Sequence, residues 1–135
     1  MPLTHAQSQT LIAAAIDRAR VDGLTVTVAI VDEGGLLKAL ARMDGAPPLS
    51  AQIAEAKAVG AALWHRDGDQ LAAVQEDRSA FFAQVSQLVR VPIIPADGSA
   101  VIRDGDTVLG AVGVSGAQSD QDRVCAEAGI SAVFP

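Results

Sequence analysis

Residues 99–114 read SAVIRDGDTVLGAVGV, two β-branched runs joined by Asp104-Gly105-Asp106. Asp-Gly between such runs is a strong hairpin signal, because both residues tolerate the left-handed backbone of a tight turn. Strands are therefore expected over Ser99–Arg103 and Thr107–Val114. A second hairpin is expected upstream. TVTVAIV (Thr25–Val31) is β-branched, Glu33-Gly34-Gly35 breaks it, and LLKALAR (Leu36–Arg42) returns as its antiparallel partner.

Helical spacing fills the remainder. Thr4 is placed to cap a helix whose apolar positions Leu11, Ile12, Ala15, Ile16 and Ala19 share one face, with Gly23 as its stop. After the Met43–Pro48 loop, Ser50 is expected to cap a second helix through AQIAEAKAVGAALW, whose small face suits tight packing on a sheet. DQLAAVQ and SAFFAQVSQLV predict two short helices between His65 and Val91, and a last helix is expected from Ser119 or Asp120 to a stop at Gly129. The order helix, hairpin, helices, hairpin, helix is not the strand and helix alternation of a parallel doubly wound sheet. It predicts an α+β fold, an antiparallel sheet with helices packed on it, in one domain over residues 1–135.

Charge and composition exclude several functions. A net charge of −6 with scattered basic residues argues against nucleic acid, whose phosphates need clustered Lys and Arg. No apolar run approaches the ~20 residues that span a bilayer, and MPLTHAQSQT has neither the basic nor the apolar region of a secretion signal. A cytoplasmic location with no membrane partner is expected. Hydrophobic residues make up 50% of the chain and charged ones 19%, an apolar surplus that predicts a homo-oligomer. Cys125 is alone, so no internal disulfide forms and the thiol reads first as a small buried hydrophobe.

Four stretches taken in order resemble a known family: VDEGGLLKALARMDGA (Val31–Ala46), SAQIAEAKA (Ser50–Ala58), DGSAVIRDGDTVLGAVGVSGA (Asp97–Ala117) and QDRVCAEAG (Gln121–Gly129). The resemblance is to the GlcG/HbpS family of haem-binding or haem-degrading domains, which also forms the C-terminal part of some corrinoid adenosyltransferases. It spans nearly the whole chain. It implies a profilin-like three-layer α/β/α sandwich around a five-stranded antiparallel sheet, assembled as dimers, tetramers or octamers. It also implies a small-molecule ligand, with haem or a related tetrapyrrole the leading cofactor. The family commonly has GGVPI where this chain has DGSAV at residues 97–101, and its extracellular haem-binding members carry a secretion signal.

The candidate site residues follow from chemistry and position. Arg42 and Asp44 stand two apart at a strand end, and Lys57 lies about two turns into the next helix, ~10 Å along it by helical rise. One expectation is an Arg42, Asp44 and Lys57 network pinning the loop to the helix. The other is a polar wall that holds a carboxylate or a propionate, for which Arg and Lys are suited. An enzyme or accessory protein of hydroxy-acid, diol or aromatic catabolism would use Asp32, Asp44 or Lys57 for proton transfer. His5 and His65 are the only imidazoles, and so the only histidine candidates for axial ligation of haem iron. Gly113 and Ser115 in GAVGVSG mark a place where a backbone or a ligand comes close. No metal-spaced His/Cys set, Ser-His-Asp order or P-loop is present.

Overall fold

The computed structural model describes residues 2–135. Helix α1 (His5–Val21) opens with a reciprocal cap: Gln7 N–H donates to Thr4 Oγ1 at 3.0 Å and Thr4 N–H donates to Gln7 Oε1 at 2.9 Å. The first hairpin follows as β1 (Thr27–Asp32) and β2 (Leu37–Arg42). Helices α2 (Leu49–Trp64), α3 (Gly68–Asp77) and α4 (Ser79–Ser86) come next, and β3 (Ser99–Asp104) with β4 (Thr107–Ser115) makes the second hairpin. Helix α5 (Ser119–Val133) ends the chain.

All strand pairs are antiparallel, in the order β2-β1-β4-β3. Successive residues of each strand face opposite layers. Val28, Ile30, Ile102, Val112 and Val114 pack with α1 and α5, while Val31, Val101 and Ala111 pack under Ala58, Val59, Ala61 and Ala62 of α2. The sheet thus has helices on both faces, the three layers that the resemblance implied.

The sheet has four strands, not five. The long stretch left between α4 and β3 carries Pro92 and Pro95, whose missing N–H groups interrupt any ladder, and it runs as an irregular segment. Two helix limits also depart from expectation. Helix α2 begins at Leu49, and Ser50 lies inside it, its Oγ buried against Thr27 Oγ1 at 2.7 Å instead of capping the helix. Helix α5 runs through Gly129 because that glycine is where α5 crosses α1: a Cβ there would stand 2.8 Å from the Leu11 carbonyl oxygen.

Among the described residues, no strand pairs with the outer edge of β2. Leu37, Lys38, Leu40 and Arg42 of this strand are exposed.

Candidate functional site

The sequence placed Lys57 with Arg42 and Asp44; the structure places it elsewhere. Lys57 is 5% exposed, and its Nζ donates to the Val114 carbonyl at 3.0 Å and to Asp122 Oδ2 at 3.2 Å. The other oxygen of Asp122 accepts the Ala117 N–H at 3.1 Å, so this carboxylate sits at the start of α5 and holds the turn after β4. Helix α2 leans its small face so closely on β4 that a four-carbon stem reaches across it. Burial pushes the Asp122 carboxyl above its ordinary range, and the Lys57 ammonium beside it opposes that rise. Gly98 (φ +109°) closes over the pair: a Cβ there would lie 2.8 Å from Asp122 Cβ and 2.9 Å from Lys57 Nζ. The DGSAV segment therefore keeps a glycine where the buried pair requires one. Beside it, Ser99 Oγ is buried without a hydrogen-bond partner, and Asp97 reaches Arg123 at 3.4 Å.

Asp122 was not among the residues singled out from sequence. Its signal was present, since Asp122, Cys125, Ala126 and Gly129 fall at i, i+3, i+4 and i+7 and all four are buried. A carboxylate on that stripe demands a buried cation, and Lys57 within an alanine-rich helix was the available one.

Arg42 and Asp44 are exposed, and the three-residue network does not form. Arg42 Nη1 donates to the Ala46 carbonyl at 2.9 Å, which ties the loop back onto its own strand. Asp44 lies in solvent beside a groove shared by Ile16, Arg20, Arg42 and Met43. Asp44→Asn should therefore change the unfolding free energy by no more than ~0.5 kcal/mol, as for an ordinary surface position. Urea unfolding checks this, and a larger loss would restore Asp44 to a structural role.

Asp32 stands at the hairpin turn as expected, with Oδ1 accepting from the N–H groups of Gly34 (2.9 Å) and Leu36 (3.0 Å). Gly113 lies under α2, where a Cβ would collide with the Ala54 carbonyl; the backbone that approaches this glycine is the helix. Ser115 is buried opposite Thr27. Cys125 is fully buried, and burial pushes its thiol up, away from the thiolate. His5 is exposed on the first turn of α1, its Nε2 3.1 Å from Gln9 Nε2. His65 is exposed at the end of α2 in the left-handed conformation (φ 54°), and Arg103 donates to its carbonyl. Among the described residues, no group of three or more His, Cys, Asp and Glu side chains is arranged to hold a metal ion, and no helix is long and apolar enough to cross a membrane.

The architecture defines an α+β sandwich whose central antiparallel sheet is locked to helices on both sides, with one buried ion pair fastening α2 to α5. Within that class the chain belongs to the HbpS-like family of haem-degrading proteins, whose model matches residues 3–131. It is 35% identical to Protein GlcG of Escherichia coli over 116 residues, 84% of this chain and 81% of that one. A double mutant of HbpS from Streptomyces reticuli superposes with a TM-score of 0.85 at 30% identity, covering 100% of this chain and 89% of that chain. The PduOC–haem complex superposes with a TM-score of 0.89 at 26% identity, covering 99% and 96%.

Proposed function

We propose that this protein binds a tetrapyrrole of the haem type through an imidazole of His5 or His65. The observation that carries the reading is the likeness of the whole fold to a domain solved as a haem complex. This chain's own residues fit such a group in two respects. Both imidazoles are exposed, so an iron centre arriving from solvent can be ligated by either. His65 also follows Trp64, which stacks on Phe82 at 5.3 Å and lines an apolar cleft with Leu63 and Phe81, the kind of surface a macrocycle covers. When bound, haem would supply iron redox chemistry; the protein would supply the axial nitrogen and the apolar contact.

His5 belongs to the α1 layer and His65 to the end of α2, on opposite sides of the sheet. One chain therefore cannot clamp a single iron between its two histidines, and each chain offers one axial ligand per site. Assembly with further copies belongs to the same reading, supported by Val21 and Leu49, which are 80% and 60% exposed.

Titration with haemin tests it. A Soret shift is expected that survives one of His5→Ala and His65→Ala and is lost in the other. A spectrum unchanged in both single variants and in the double variant removes imidazole ligation, and no Soret change in the native chain removes the tetrapyrrole.

A further inference from the structure

A cleft of about 440 Å³ opens on the outer side of α2, away from the buried ion pair. Its floor is α2, through Glu55, Val59 and Leu63. One wall is the tip of the β1–β2 hairpin, with Leu36 and Leu37, and the other is the irregular segment before β3, with Arg90. Both walls are set firmly on the floor. A Cβ at Gly35 would meet Leu63 Cγ at 3.3 Å, and Ile93 fills a notch over Gly60, where a Cβ would stand 2.7 Å from Ile93 Cγ2.

The lining mixes apolar side chains with backbone and charged groups, and its leucines are open: Leu36, Leu37 and Leu63 are 58%, 48% and 39% exposed, with Val59 buried beneath them. Among the described residues neither Glu55 nor Arg90 takes part in an ion pair. A hollow of mixed lining, with exposed leucines and an arginine outside any ion pair on its wall, has the size and make-up of a small-molecule site.

We propose that this cleft binds a small monocarboxylic acid with an apolar body, the carboxylate on Arg90 and the body on Leu37, Val59 and Leu63. Arginine presents a planar fork of donors that matches a carboxylate in bidentate fashion. Glu55 on the floor disfavours a second carboxylate directed onto it, so a monoacid is preferred over a dicarboxylic acid. The site uses neither imidazole, although Leu63 lies between it and the apolar cleft beside His65.

The test is methyl NMR of the full chain titrated with 4-methylpentanoate, with its primary amide, and with adipate. The monoacid is expected to shift the methyl resonances of Leu37, Val59 and Leu63, with a Kd at least ~10-fold below that of the amide, and adipate to bind more weakly than the monoacid. Arg90→Gln, an exposed position whose melting temperature should match the native chain, is expected to bring the acid down to the affinity of the amide. The double variant His5→Ala with His65→Ala should bind the acid as the native chain does, which separates this site from tetrapyrrole binding. Equal affinity for acid and amide, native affinity in Arg90→Gln, or binding of adipate like the monoacid would overturn the proposal. So would shifts of the same methyls with protein concentration alone, which would show a second copy covering the cleft.

Discussion

Replacing Lys57 by Met is expected to lower the unfolding free energy by ~3 to 5 kcal/mol, the cost of leaving one partner of a buried pair alone. The carboxylate of Asp122 is 2% exposed and would keep only the Ala117 N–H. The Val114 carbonyl would lose its ammonium donor as well. The pH dependence has a definite sign. Burial already raises the Asp122 carboxyl above its ordinary value of 3.8, and without Lys57 nothing opposes that rise except the backbone bond. A carboxyl raised by folding contributes its stability below its unfolded value and loses it as the pH climbs through the folded one. The Lys57→Met deficit should therefore be smaller near pH ~4, where more of the raised carboxyl is protonated, than near pH ~7. Replacing both partners by apolar residues, Lys57→Met with Asp122→Leu, should recover most of the loss. Urea unfolding at the two pH values measures all three. A single variant within ~1 kcal/mol of the native chain at neutral pH would show that solvent reaches the pair.

Gly113→Ala is expected to be of similar size and to act by a different route. The added methyl has no side chain to push aside, since it would strike the Ala54 carbonyl and stand 2.8 Å from the Ala58 N. Helix α2 must lift from β4, and Ala58, Ala61 and Ala62 with it. The loss should reach or exceed the top of the ~1 to 3 kcal/mol range for overpacking. Gly105→Ala provides the contrast. That turn residue (φ +61°) has open space around it, so only backbone strain of ~1 to 2 kcal/mol applies. If the two alanine variants unfold at the same urea concentration, the close seating of α2 on β4 is not what this glycine serves.

What could be read from sequence was whatever is written locally. The Asp-Gly turn, the β-branched runs and the Thr4 cap each involve residues a few positions apart, and each formed where expected. The Lys57–Asp122 pair joins residues 65 apart, so no window along the chain contains both. Lys57 was matched to Asp44 because its helix follows the strand end that carries Arg42 and Asp44, although the buried stripe of α5 held a better partner. Gly129 was read as a helix stop because the local rule for glycine is conformational, whereas here the reason is room for Leu11. The fifth strand came from family likeness alone, and no stretch of this sequence carried a signal for it beyond the four strands of the two hairpins.

The bare edge of β2 bears on what happens when many copies crowd together. Two such edges brought side by side and centred on Leu40 would set Lys38 of one copy across from Arg42 of the other, a pairing of like charges that disfavours the ladder. The strand is short, and its cations bracket the apolar Ala39-Leu40-Ala41 that would otherwise seed fibre growth. Concentrated solutions should accordingly resist gelling through this edge, because the register that centres on Leu40 sets like charges opposite each other.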